Sequence, residues 1–200
     1  DQTYFLYRIS QEQLERHIFP IGHLTKQEVR AIAQEYNLPV KDKEESQDFY
    51  CGDYKDILGV EDTPGDIILT NGKVLGQHNG FWNYTIGQRK GLGIAYAEPL
   101  YVIKLNKNDN TVIVGTKNEV LQSAFIVEDP TWMSISSLDQ PLDVLVKIRS
   151  ANKASAACIT PLKNNMVQVI FHEPKDAITP GQSAVFYLDD KVIGGGVIKE

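Results

Sequence analysis

The chain has little cysteine: Cys51 and Cys158 are the two thiols among 200 residues, and they stand 107 positions apart. That spacing excludes a disulfide scaffold and a metal knuckle, and so sparse a use of cysteine fits a reducing, cytoplasmic setting. Long apolar runs are missing too. Stretches such as Ile67-Ile68-Leu69 fall far short of the roughly 18 residues a membrane helix needs, so no membrane association is expected. No apolar segment follows Asp1, so no signal peptide is expected, and with no initiator Met a processed or truncated chain is expected. Several chemical signatures are absent: G-x-x-x-x-G-K-[ST], H-E-x-x-H and G-x-S-x-G. The histidines at 17, 23, 78 and 172 are scattered, so no metal site is expected. On this reading the chain holds no ATP, NAD or metal by itself.

What is present is an ordinary globular composition, 42% hydrophobic and 23% charged, enough to build a packed core. The charge is unevenly spread. Residues 41–66 hold nine acidic and three basic residues, which is the whole net charge of −6. A low isoelectric point therefore does not exclude nucleic-acid binding elsewhere. Residues 76–97 carry Arg89 and Lys90 and no acid; residues 131–170 carry Lys147, Arg149, Lys153 and Lys163 against Asp139 and Asp143.

The periodicity changes along the chain. Ser10-x-x-Gln13 and Thr25-x-x-Glu28 are capping boxes, so helices should begin near Gln11 and Lys26. Val29, Ile32, Ala33 and Tyr36 form one apolar helix face, and Pro39 lies past its end. After residue 60 the pattern reads as strands. Residues 66–69 and 73–75 flank Asn71-Gly72, the signature of a hairpin with a type I′ turn. A second hairpin spans 100–114, and six further strands are expected near 124–128, 142–148, 154–161, 167–172, 183–188 and 191–198. The expected fold is mainly β with a short helical N-terminal segment, a central small β domain and a C-terminal antiparallel β-barrel. The expected divisions are 1–60, 61–120 and 121–200.

Four motifs carry candidate chemistry. Gly87-Gln-Arg-Lys-Gly-Leu-Gly-Ile94 sets Arg89 and Lys90 among glycines, which suits an anion contact or a tight turn. Thr179-Pro-Gly-Gln-Ser-Ala-Val185 is a turn entering a strand, with the Gln182 amide offered to a ligand, and Gly194-Gly-Gly196 marks a bulge or a close backbone approach. Cys51 stands in Glu45-Ser-Gln-Asp-Phe-Tyr-Cys51-Gly-Asp, where neighbouring carboxylates oppose thiolate formation. The opening Asp1-Gln-Thr-Tyr-Phe5 pairs polar groups with aromatics.

Taken in order, these motifs, with Phe19-Pro-Ile-Gly-His-Leu-Thr-Lys26, Pro64-Gly-Asp66 and Glu98-Pro-Leu-Tyr-Val102, closely resemble the tRNA-specific 2-thiouridylases over essentially the whole chain. The resemblance implies a C-terminal part of an enzyme that 2-thiolates the wobble uridine of tRNA. In that family ATP with Mg is bound by an N-terminal pyrophosphatase domain, which this sequence lacks, and ATP adenylates O2 of the uracil. A cysteine persulfide then delivers sulfur to C2, assisted by a second Cys of that domain. The chain alone is expected to be inactive and monomeric, and its partners to be tRNA and a sulfur donor such as a cysteine desulfurase or a sulfur-relay protein.

Residue by residue, Cys51 is the candidate persulfide cysteine, although it lies five positions after Ser46 where the family pattern has four. Either the loop is re-registered and Cys51 carries sulfur, or the family cysteine is replaced and Cys51 is incidental. Asp1, Gln2, Arg149 and Gln182 match tRNA-contact positions, and Ser150 stands where the pattern has Tyr, so stacking is lost there. Arg89 and Lys90 are expected to brace the active site or touch phosphate. The competing reading is a non-catalytic RNA- or protein-binding β module.

Overall fold

The computed structural model describes residues 2–42 and 54–199. They form two compact units, one of residues 1–11 with 62–200 and one of residues 12–61. Five α-helices occur among the described residues, α1 (Thr3–Leu6), α2 (Gln11–Glu15), α3 (Lys26–Glu35), α4 (Tyr54–Leu58) and α5 (Lys117–Val120), with one 3-10 turn at Phe81–Asn83. Ten strands follow the helical start: β1 (Gly65–Leu69), β2 (Val74–His78), β3 (Tyr101–Asn106), β4 (Thr111–Gly115), β5 (Gln122–Trp132), β6 (Leu142–Lys147), β7 (Ser155–Leu162), β8 (Met166–Lys175), β9 (Ser183–Leu188) and β10 (Lys191–Ile198). Among the described residues no helix is long and apolar enough to cross a membrane.

In the unit of residues 12–61, α3 starts on the expected capping box. The Thr25 hydroxyl accepts from Glu28 N–H at 3.3 Å, and the Glu28 carboxylate accepts from Thr25 N–H at 2.6 Å. The Thr25 N–H, and the Thr25 hydroxyl donating to the same carboxylate at 2.8 Å, hold the Glu28 carboxyl below its usual range. Val29 and Ala33 are half-buried but Ile32 and Tyr36 are exposed, and none of the described residues of this unit is buried.

The larger unit holds two β structures. A four-stranded sheet runs in the order β2-β1-β4-β3, with β1 and β4 parallel. Its core is Ile67, Val102, Val112 and Val114, all fully buried. The β1–β2 connection corrects one expectation. Gly72 has a positive φ of 86° but Asn71 does not. A type I′ turn needs both central residues at positive φ. Instead Gly72 N–H bonds to Leu69 C=O at 2.9 Å and Leu69 N–H to Lys73 C=O at 2.9 Å. Thr70-Asn71-Gly72 is thus a three-residue loop, a type I turn followed by a left-handed glycine.

His78, at the end of β2, ties this sheet together. It is buried, its Nδ1 accepts from Gly80 N–H at 2.9 Å, and its Nε2 therefore donates to Asn110 C=O at 3.1 Å. The Asn110 amide in turn donates to Thr63 and Pro64 carbonyls. Both ring nitrogens are committed in the neutral form, and burial pushes the imidazole pKa below its ordinary value.

Strands β10-β5-β8-β7-β6-β9 close into a six-stranded antiparallel barrel, as the strand pattern implied. Alternate side chains fill it: Val144 and Val146 of β6 point in, while Leu145 and Lys147 point out. The strand β9 departs from this alternation. Ala184 and Phe186 enter the barrel core, yet Val185 and Tyr187 on the outer face are also buried. They are covered by Tyr4 and Tyr7, three positions apart on one face of α1. A strand buried on both faces reads as a continuous apolar run, which is what Ala184-Val-Phe-Tyr187 is.

The glycine run of β10 makes room for this cover. The ladder shifts register beside it on both sides, and a Cβ on Gly195 would lie 2.6 Å from Ala184 C=O and 2.8 Å from the Tyr7 ring. Both expectations for Gly194–Gly196, bulge and close approach, describe it.

Two outcomes are expected. Gly195→Ala should cost roughly 1–3 kcal/mol by overpacking, read as a fall in thermal midpoint together with a loss of protection of α1 in hydrogen exchange. For His78, the unfolded chain takes up a proton that the folded chain refuses. Stability is therefore full above pH about 6.5 and falls as pH drops through that value. Denaturant midpoints from about pH 8 to pH 5 should show a component of this fall that disappears in His78→Gln.

Candidate nucleic-acid interface

Of the residues singled out by the sequence, Gln2, Arg149 and Gln182 lie at the barrel beside α1 or the residues it contacts. Thr3 Oγ1 lies 3.3 Å from the Tyr187 hydroxyl, and the Tyr4 hydroxyl donates to Ser183 C=O at 2.8 Å. Ser183 Oγ donates to the Tyr7 hydroxyl at 3.1 Å, which also accepts from Arg8 Nε at 2.9 Å. The helix therefore lies along β9. Burial, with the phenols of Tyr7 and Tyr187 close by, pushes the Tyr4 pKa up to about 12. Tyr4 stays a hydrogen-bond donor at any working pH.

At the Ser183 end, Thr179-Pro-Gly-Gln182 closes a turn through Gln182 N–H to Thr179 C=O at 3.2 Å. Gln182 C=O accepts from Ile198 N–H at 2.8 Å, so the backbone is fixed while the side chain is exposed. Gln2 is the N-cap residue of α1 and is exposed; its side chain makes no cap bond. Asp1 and Cys51 lie outside the described residues, so the structure does not place them.

Arg149 joins this turn to the glycine-rich loop. Its Nη2 donates to Ile86 C=O at 2.9 Å and to Thr179 Oγ1 at 2.7 Å. One nitrogen of the guanidinium is thus committed within the protein. Ser150 beside it is exposed.

The loop shows what each residue of Gly87-Gln-Arg-Lys-Gly-Leu-Gly does. Gly87, at φ 84°, presses on Ala177, where a Cβ would come within 2.5 Å of the Ala177 methyl. Gly87 N–H bonds to Val102 C=O at 2.7 Å and Val102 N–H to Gln88 C=O at 2.9 Å, fastening the loop to β3. The Gln88 amide clamps the loop from within, accepting from Thr85 N–H at 2.9 Å and donating to Lys90 C=O at 3.0 Å. Leu92 is buried in the sheet core. Arg89 and Lys90 are left exposed, with no ion pair among the described residues. The loop is a built platform that presents two cations.

Sequence reasoning did not single out Tyr7 or Tyr187, and it marked Thr179 only as the start of a turn motif. The signal for the first was available in the Tyr4/Tyr7 spacing, which is one helix face. Among the described residues no three His, Cys, Asp or Glu side chains converge as metal ligands. Cys158 is a free, half-buried thiol on β7.

Three family models match consecutive stretches: the tRNA methyl transferase HUP domain at residues 1–51, the tRNA methyl transferase PRC-barrel domain at 55–116 and the aminomethyltransferase beta-barrel domain at 122–198. A tRNA-specific 2-thiouridylase MnmA of Endomicrobium trichonymphae is 48% identical over 200 residues, covering 99% of this chain and 56% of the relative. The proteins of that name from Nostoc punctiforme and Acetivibrio thermocellus are 47% and 44% identical across the whole chain, which spans 59% and 57% of their lengths.

The Arg149 contacts predict a proteolysis result. Arg149→Ala removes charged hydrogen bonds worth about 1.5–3 kcal/mol each. Tryptic cleavage after Arg89 and Lys90 should accelerate roughly tenfold or more, because cleavage follows the population of the opened loop. Unchanged cleavage would mean that Arg149 does not hold the loop.

Proposed function

The chain belongs to the tRNA-specific 2-thiouridylase family, and on that premise we propose that it is the tRNA-holding part of an enzyme that replaces the 2-oxygen of the wobble uridine with sulfur. The observation that carries the reading is the Arg149 junction. It brings the start of the barrel turn bearing Gln182 and the start of the loop bearing Arg89 and Lys90 onto one guanidinium nitrogen, beside the helix whose N-cap is Gln2.

On this reading residues 1–60 are the tail of a catalytic domain, 61–120 a central β domain and 121–200 a barrel that holds RNA. Gln2 and Gln182 offer amides to the RNA, and Arg149 offers the part of its guanidinium not spent on Ile86 and Thr179. Exposed Arg89 and Lys90 suit phosphate oxygens, which position RNA without reading its sequence. ATP with Mg belongs to the part of the relatives that lies outside this chain. The glycine-rich loop lacks phosphate-cradle spacing and its two cations are exposed, so this loop does not fit ATP, and no chemical step is assigned to it through that group. The sulfur carrier is assigned to Cys51, loaded by a separate sulfur donor.

The reading is tested in the full-length protein, incubated with tRNA, ATP and a sulfur source, with 2-thiouridine scored by mass spectrometry of the digested nucleosides. Wild type should form the product, Cys51→Ser should form none at an unchanged melting temperature, and the 200-residue chain alone should form none. Product from folded Cys51→Ser would remove Cys51 from the mechanism, and no product from wild type would overturn the assignment of the reaction.

A further inference from the structure

The motif positions leave a gap on the barrel surface. Gln2 lies at the start of α1, whose next residue, Thr3, reaches Tyr187; Gln182 lies beside Ser183, at the other end of β9. Four residues of extended strand separate those ends, roughly 13 Å. The neighbouring strand β6 fills the interval. In register, Leu145 pairs with Tyr187 and Lys147 with Val185, so Lys147 stands midway along the interval. Leu145 and Lys147 alternate with the buried Val144 and Val146 and share the outer face of the barrel, and Arg149 follows two residues past the strand's end.

A groove of about 350 Å³ opens on this face, lined by Leu145, Lys147, Asn152, Lys153, Tyr187 and Asp189. Its floor is apolar, through Leu145 and Tyr187, and its rim carries two lysines. Neither lysine has a hydrogen bond or ion pair to a side chain among the described residues. Asp189 faces the same groove without pairing to them, and Asp143, also outward on β6, is drawn instead to His172 at 3.3 Å. Nothing within the unit explains two unpaired cations collected over an apolar floor, next to Arg149.

We propose that Lys147 and Lys153, with Asn152, form a phosphate track that carries the tRNA backbone between the Gln2 and Gln182 contacts. The proposal rests on the tRNA reading above and extends it to residues no motif marks. Two ammonium groups neutralise two phosphates, and the Asn152 amide supplies a neutral donor beside them. The contacts are to backbone alone, so they serve any tRNA sequence equally.

The test is binding of labelled tRNA to the chain from about 50 to 200 mM salt, for wild type, Lys147→Ala/Lys153→Ala, Lys147→Arg/Lys153→Arg and, as a remote control, Lys163→Ala. The double alanine variant should bind more weakly and lose about 1.4–1.8 from the magnitude of its log–log salt slope, two contacts at about 0.7–0.9 each. The double arginine variant should keep the wild-type slope, and Lys163→Ala should match wild type. Equal unfolding midpoints confirm that the variants are folded. Salt-dependent wild-type binding with an unchanged slope in the double alanine variant overturns the track. Absence of any wild-type binding at the lowest salt overturns the tRNA reading on which the track rests.

Discussion

The outer face of β9 cannot stand in water. Val185 and Tyr187 project away from the barrel core, and together they would expose a wide apolar strip on a strand whose other face is already committed to Phe186 and Ala184. The cover is α1, a single turn of helix that would not persist in isolation. Its Tyr4 and Tyr7 rings seal the strip, and the hydroxyls that remain are satisfied by Ser183. Gly195 keeps the neighbouring strand thin enough for Tyr7 to approach. The start of the described chain is thereby bound to residues about 180 positions later.

The other features of the interface follow from that seal. With α1 in place, the Thr179–Gln182 turn has a fixed neighbour, and Arg149 can spend one nitrogen on Thr179 and on the loop carbonyl of Ile86. The loop, held by Gly87 against Ala177 and clamped by Gln88, then presents Arg89 and Lys90 outward. Rigid hydrophobic packing sets the polar groups, and the polar groups are what an RNA backbone can meet. This division of labour suits phosphate recognition, where donors must be positioned before the ligand arrives.

Much of this architecture was legible in the chain. The strand pattern marked the barrel strands: β6 alternates because one face is dry and the other wet, whereas β9, dry on both faces, reads as a continuous apolar run. The Thr25 capping box marked the start of α3 through a local bond pair that needs no tertiary context. The α5 helix carries the same signature at Thr116-x-x-Glu119, and it went unread because it is one turn long between two strands. The Asn71-Gly72 pair misled, since a third loop residue, Thr70, lets a type I turn do the work of the two-residue form. The parallel pairing of β1 with β4 had no local signal, as it depends on which edges meet across some 45 residues. For the interface, the motif positions were legible but the commitment of Arg149 was not. A guanidinium carries the same letter whether it faces solvent or a carbonyl 63 residues away.

The central claim is that α1, the glycine-rich loop, the outer face of β6 and the Thr179–Gln182 turn form one RNA-facing surface. Hydrogen exchange of the chain with and without saturating tRNA at low salt tests it most directly. The account predicts that residues 2–7, 84–94, 145–154 and 179–183 gain protection together, while the β1–β2 turn at Asn71-Gly72 does not. Protection confined to one of these segments, or centred on that turn, would contradict it.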